Sequence, residues 1–404
     1  MVVSPKQRWQ HFGKRSVRLL LALLVGLLAG LLTGCEGLYD PQDFDRDRAL
    51  VFRRSQLVQA PDPGQTPALR VMAWNVKYGA GRIPFWFDCW GDRVQMTKAE
   101  VTANLDALAA AIVAYDPDIL ITEEIELNSR RSAYVDQVRY LLEHTSLNYA
   151  AYAETWDSQY VASEGLGRIQ LGNAIFSKYP IVKAERIRQV DRTDQDPLTA
   201  AFYIKRAVAR AEVALGQGKT LAVYGVHTEA YDNDGTKQKQ TQQIHQLLQT
   251  ETLPWLAGGD WNELPPVAAR LQDFLDERDS AVCSEDFVQP PYTPEVLQPY
   301  YNDFAPALPL AAYGTTEASQ ARYFTHSVLG PDEVNDAGQP GDWNRTLDYL
   351  FAGKGASWLA GHSDVLQRLG QPIGTSGETV QSDFLRLSDH APVVGVWQWP
   401  AGAP

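Results

Sequence analysis

Cysteine is nearly absent. The 404 residues hold three, Cys35, Cys89 and Cys283, so disulfides cannot be the main framework of the fold. Positive charge is also short: 36 Lys and Arg stand against 49 Asp and Glu, a formal −13. Such a surface does not attract nucleic acid or anionic lipid indiscriminately, although a small positive cleft remains compatible with it. Only one long apolar run occurs, Leu19 to Leu32, and its 14 residues are short for a membrane span of about 20. No internal repeat is visible, and no second linker interrupts the chain after residue 67. A calcium loop of the D-x-D-x-D-G kind is missing too, since Asp232-Asn233-Asp234-Gly235 is too compact. What remains is an ordinary globular composition, 45% hydrophobic and 21% charged.

The N-terminus reads as an address. Lys6, Arg8, Lys14, Arg15 and Arg18 form a basic region without acids, the apolar run follows, and Leu32-Thr33-Gly34-Cys35 closes it. Small residues before a cysteine resemble a bacterial lipobox, in which Cys35 is lipidated and becomes the new terminus. An uncleaved signal anchor is the alternative. Either way the chain is expected to be exported and held to a bacterial membrane, facing periplasm or exterior. Residues 1–34 read as signal peptide, 35–67 as a polar tether and 68–400 as one domain. Losing the leader removes five basic residues and no acid, which leaves −18. Cys89 and Cys283 then either pair or stay free.

Along the domain, apolar runs end in polar groups. Leu69–Asn75 is a strand ending in Asn75, and an aromatic loop with Phe85, Trp86, Phe87 and Trp90 follows. Val101, Leu105, Leu108 and Ile112 recur at helical spacing, with Pro117 marking the boundary. Asp118–Thr122 runs as a strand into Glu123-Glu124, and Val135, Val138 and Leu142 suggest a short helix. Gly172–Ser177 is a strand led by Asn173; Ala207–Leu215 and Thr220–Val226 form a hairpin ending at His227. Ile244, Leu247 and Leu248 mark a helix. Trp255–Ala257 is a short buried strand stopped by Gly258-Gly259, after which Asp260 and Asn262 share a tight turn. Residues 265–340 show no clear pattern. Thr346–Ala352 carries Asp348 within a strand, and Ser388-Asp389-His390 precedes the last strand, Ala391–Trp397. Strands alternating with helices indicate an α/β layered domain.

Taken singly, each strand-end group has a plain explanation. Asp260 and Asn262 make an ordinary Asx turn, Glu124 a solvated acid, Asp348 an ion-pair partner, and His227 a structural histidine. His144, His245, His326 and His362 fall outside the motifs and read as structural or surface residues.

The order WNV, PDILITEE, GNAIFSKYP, GVHTE, GGDWNE, LDYLF and SDHAPV, from Val71 to Val396, resembles the endonuclease/exonuclease/phosphatase superfamily. That resemblance implies an α/β fold: a two-sheet β-sandwich flanked by helices, four layers as in deoxyribonucleases, with the site across the tops of both sheets. It implies hydrolysis of phosphoester bonds with Mg²⁺, Mn²⁺ or Ca²⁺ being alternatives. Glu124 matches the metal-binding glutamate, with Asn75 and Asp389 beside the metal. Asp260 and Asn262 match the pair that activates and orients the attacking water. His227 matches the histidine near the phosphate oxygens, Asp348 the acid that orients the last histidine, His390, and Asn173 falls in a substrate-binding motif. The family often carries Gln where this chain has Glu123, which leaves open a register with Glu123 as the ligand. Thr228 stands where an aliphatic residue is common.

The expected function is therefore a metal-dependent phosphodiesterase acting on nucleic acid, a phospholipid head group or a small phosphoester. The contrasting expectation is a non-catalytic surface lipoprotein that binds a ligand on the same scaffold. The expected partners are the phosphoester substrate and the membrane, through the lipid anchor; no protein partner is implied.

Overall fold

The computed structural model describes residues 45–64, 66–86, 91–231, 233–274, 292–335 and 338–401. The leader and all three cysteines lie outside the described residues, so the readings on Cys35 lipidation and a Cys89–Cys283 pair fall outside them as well. No described helix is long and apolar enough to cross a membrane.

Among the described residues fifteen strands form two sheets. Chain order gives β1 (Arg46–Arg48), β2 (Leu50–Arg53), β3 (Ala68–Asn75), β4 (Ile119–Glu126), β5 (Tyr149–Val161), β6 (Gly167–Ser177), β7 (Ile181–Arg188) and β8 (Ala207–Gly216). There follow β9 (Lys219–His227), β10 (Trp255–Asp260), β11 (Ala305–Pro306), β12 (Asp348–Gly353), β13 (Ser357–Trp358), β14 (Asp364–Val365) and β15 (Val393–Gln398). One sheet runs β1-β7-β8-β9-β10-β12-β11 and the other β13-β15-β3-β4-β6-β5-β2, with β14 beside β15. With helices outside them, this is the expected α/β sandwich.

Each sheet has a parallel pair at its heart, β3–β4 in one and β9–β10 in the other. Parallel neighbours need a long crossover, and a helix supplies each: α1 (Lys98–Tyr115) follows β3 and α2 (Gln137–His144) follows β4. After α3 (Pro197–Phe202), α4 (Thr236–Thr250) joins β9 to β10. Thr97 and Glu100 form a reciprocal capping box at the start of α1. Pro117 disfavours helical geometry at Asp116, which ends α1 in a left-handed cap at φ 52°. Val101, Leu105, Leu108 and Ile112 bury its inner face, as their spacing predicts.

The sheets meet over small residues. A β-carbon on Gly258 would lie 2.6 Å from Leu350, 2.9 Å from Ile121 and 3.0 Å from Ala73. The glycine pair therefore does not stop the strand, contrary to the sequence expectation: β10 continues through it to Asp260 because bare backbone lets the facing sheet approach.

Two other differences matter. Part of the expected tether, residues 46–53, is pinned to the fold: β1 pairs with β7 and β2 with β5, one on each sheet. The unassigned stretch contains short helical turns, among them Pro294–Leu297 and Gln298–Asp303, which pack Leu297 and Tyr300 against Trp261 and Phe351.

Candidate active site

Register alone gathers the polar residues. Asn75 pairs with Glu123 across β3–β4, while Asp260 pairs with His227 on one side and Asp348 on the other. All five stand at the same end of the sandwich.

The β4–β6 ladder breaks between Thr122 and Ile125, where β4 bulges and Glu124 takes φ 57°. A bulge re-aims side chains, and here it separates the two acids. Glu123 turns inward, fully buried, with neither carboxylate oxygen hydrogen-bonded. Glu124 turns to the cleft, 3.3 Å from the Asn75 amide and 3.9 Å from His227 Nε2. Of the two acids, Glu124 is therefore the one that faces the cleft. Burial, then the Asp348 and Asp260 charges, push the Glu123 carboxyl well up; a proton there accounts for a carboxyl that no cation meets. Burial and Asp389 push Glu124 up as well.

Asp260 is the hub. Asn262 N donates to its Oδ1 at 2.7 Å, and the Asn262 and Asn75 amides approach Oδ2 at 3.2 and 3.4 Å. His227 Nε2 and His390 Nε2 lie 3.5 and 3.7 Å from that same oxygen. Asn262, at φ 48°, also donates to Thr228 O at 3.2 Å. Both hydrogens of its amide are thereby engaged, so Asn262 orients Asp260 in this state. Thr228 puts the hydroxyl that an aliphatic residue would lack onto Trp261 O.

His390 Nδ1 meets Asp348 Oδ2 at 2.8 Å. Burial works against a charged ring, but the Asp348 and Asp260 carboxylates outweigh it and raise His390 above the ordinary histidine range. His227 goes the other way, lowered by burial and by the Arg206 guanidinium. One histidine is a cation and the other neutral, which suits different tasks on a phosphate.

Asp389 lies 3.3 Å from Lys77 Nζ, and its Oδ1 is 3.2 Å from Ser388 Oγ. Ser388 Oγ donates its one proton to the nearer Asn75 O at 2.8 Å, which ties this loop to the end of β3. Asn173 is placed apart: fully buried on β6, it donates to Ala207 O at 3.0 Å, and no hydrogen bond joins it to the others.

Three residues outside the motifs belong here. Lys77 follows Asn75 at φ 43° and holds Asp389. Arg206 is 7% exposed, acts on both Glu124 and His227, and lies 3.9 Å from Glu229. His326 packs edge-on against His390 with ring centroids 4.6 Å apart. None stands at the end of an apolar run, the signal that exposed the rest.

The donors suit a hard divalent cation, which takes oxygen ligands and needs few carboxylates. Asn75 turns its amide nitrogen toward Glu124 and Asp260 while its Oδ1 accepts from Lys77 N at 3.1 Å, and Glu124 and Asp389 are close enough to act on each other's charge. Asp260, Asp348 and His390 also place one ligand atom each within 4.8 Å of one another, a potential metal site of the described residues. Asp348 Oδ1 has no hydrogen-bond partner there.

Solved structures similar to this chain include an endonuclease/exonuclease/phosphatase from Beutenbergia cavernae DSM 12333, at 15% identity and TM-score 0.49, covering 82% of this chain and 72% of that one. A mannosyl-6-phosphatase from Bacteroides thetaiotaomicron VPI-5482 is similar at 13% identity and TM-score 0.45, with 81% and 99% covered. TDP2 from D. rerio, complexed with single-strand DNA product, is similar at 15% identity and TM-score 0.44, with 82% and 98% covered. No curated protein matches the sequence. The sequence profile of the Endonuclease/Exonuclease/phosphatase family matches residues 72–390, from within β3 to His390, and so spans every site residue just described. With that match over most of its length, the chain belongs to the endonuclease/exonuclease/phosphatase family, whose members are generally metal-dependent phosphoesterases.

Proposed function

We propose that the protein is a phosphodiesterase that uses a divalent cation, Mg²⁺ first, and is lipid-anchored through Cys35 to a bacterial membrane, facing periplasm or cell exterior. The observation that carries the catalytic part is the convergence on one Asp260 oxygen of two amides and two imidazoles, all between 3.2 and 3.7 Å. A carboxylate serving only a turn has no need of four such neighbours.

Glu124, Asn75 and Asp389 would hold the cation, which polarises the phosphoryl oxygen and offsets its charge. Asp260 takes the proton of the attacking water, and Asn262 with its backbone N–H fixes the carboxylate for that transfer. His390, kept cationic by Asp348, faces a negative phosphate oxygen. Neutral His227 donates a hydrogen bond beside it. Arg206 adds fixed positive charge behind Glu124, so a cleft in an acidic protein can still receive an anion. Asn173, through Ala207 O, steadies the start of β8 from which Arg206 projects.

The set is complete, which favours an enzyme over a ligand-binding lipoprotein. The test is turnover with Mg²⁺, Mn²⁺, Ca²⁺ or EDTA on duplex DNA, RNA, sphingomyelin, phosphatidylcholine and bis-p-nitrophenyl phosphate. Cation-dependent hydrolysis of a diester supports the reading; no turnover of any substrate with any cation overturns it.

A further inference from the structure

His326 lies beyond every motif, yet its surroundings fix what its ring can do. Its backbone bridges antiparallel to both Arg345 and His390. Its N–H donates to Arg345 O at 2.9 Å, and its carbonyl accepts from Asn344 N at 3.1 Å. The segment is therefore held on both sides, and the ring is set at 67° to that of His390.

Arg345, itself buried, donates from Nε to His326 Nδ1 at 3.1 Å. A guanidinium never accepts a hydrogen bond and does not lose its proton. Nδ1 must therefore be the acceptor, and the ring hydrogen must sit on Nε2. Among the described residues Nε2 makes no hydrogen bond, while the residue as a whole is only partly buried. A donor is thus fixed in direction, beside the cationic His390, with no partner of its own.

We propose that His326 is a substrate-contacting residue, presenting its Nε2–H as an uncharged donor to a phosphate oxygen held beside His390. This rests on the phosphodiesterase reading and goes beyond it, since it gives the site a third histidine with its own task. Burial, Arg345, His390, Arg82 and Lys77 all oppose a second proton on the ring. Where His390 brings charge, His326 brings direction. A donor that carries no charge also adds no repulsion to the crowded cations around it.

A purely structural reading makes the ring a brace between Arg345 and the His390 loop. His326→Phe keeps a ring against His390 and loses the donor, while His326→Gln keeps a donor and loses the ring. With bis-p-nitrophenyl phosphate as substrate, kcat/KM in His326→Phe is expected to fall on the order of 10²-fold, as for one fixed donor to a developing charge. His326→Gln is expected to recover part of that loss. Independently of turnover, ¹⁵N spectra of the histidine-labelled protein, assigned with His326→Gln, should show the Nε2–H tautomer and a shift of that nitrogen on adding inorganic phosphate. An Nδ1–H tautomer overturns the proposal, as does wild-type kcat/KM in His326→Phe or a nitrogen indifferent to phosphate. Absence of turnover in the wild type with a phosphate-sensitive Nε2 overturns the hydrolase reading instead and leaves the donor in place.

Discussion

Asp348 opens β12 of one sheet and His390 lies just before β15 of the other, yet their Oδ2 and Nδ1 atoms stand 2.8 Å apart across the top of the sandwich. The contact orients the imidazole and holds its charge. In Asp348→Asn the geometry survives while the charge partner is lost, and kcat is expected to fall by about 10²–10⁴, the range for acid–base groups. The stability difference between wild type and variant carries a sign. A histidine raised in the folded state contributes fully below its unfolded value of about 6.5, and the contribution disappears as pH rises through the folded value. Urea unfolding at pH 6 and at pH 9.5 measures this; a difference that grows with pH contradicts the pairing.

Asp260→Asn removes the base but keeps the size. Turnover is expected to drop about 10²–10⁴-fold. Melting temperature should hold or rise, because burial and Asp348 disfavour a charge at this position more than His390 and the Asn262 N–H favour it. Asn262→Ala frees the carboxylate from one side and is expected to cost about 10²–10³ in kcat. Calorimetry beside kinetics decides: wild-type turnover in Asp260→Asn ends the mechanism.

Glu124→Gln tests the cation. Its activity should vanish at ordinary Mg²⁺ and return in part at high Mg²⁺. Full wild-type activity in EDTA would remove the metal from the reaction altogether.

Gly259→Ala should fail in a different way. At φ 135° an added β-carbon would lie 2.6 Å from Glu123 Oε1 and 2.1 Å from Val226 O, the second a backbone atom of the neighbouring strand that cannot turn aside. Left-handed strain alone costs roughly 1–3 kcal/mol, and the overlap adds to it. The midpoint of urea unfolding is expected to fall sharply, with activity lost alongside; an unchanged midpoint would refute the close approach of β9 and β10.

Cys35→Ser tests the anchor. The variant should accumulate as unprocessed precursor or as soluble protein, and labelled palmitate should no longer incorporate. Incorporation that persists would place the lipid elsewhere.

Much of this site was legible because the fold puts its chemistry at strand ends. β3, β4, β9 and β12 are apolar runs that stop or start at Asn75, Glu124, His227 and Asp348, and the family's motif order then joins them. Legibility failed where that rule lapses. β7 reads IVKAERIR, and its Glu185 serves Arg210 at 2.8 Å, an ion pair across strands that breaks the apolar alternation. Gly258 and Gly259 look like a stop and are a close approach, a distinction made by the facing sheet and not by the local sequence. Arg206 and His326 act through neighbours far away in sequence, so no local pattern marks them.

The four sheet edges were invisible for a similar reason. The outermost strands β1, β2, β11 and β13 run only two to four residues each, and three basic residues, Arg46, Arg48 and Arg53, lie on the first two. A single stretch, residues 46–53, lies along β7 in one sheet and β5 in the other, while Trp358 on β13 donates to Ala305 O of β11 at the opposite seam. Beyond the reach of β2, the long β5 is met by Lys205 N on Thr155 O and Arg186 on Glu154 O. Open backbone is what recruits a second copy into a growing stack of strands. With borders this short and occupied, two of them charged, the protein is built to lie beside copies of itself without its sheets joining those of its neighbours.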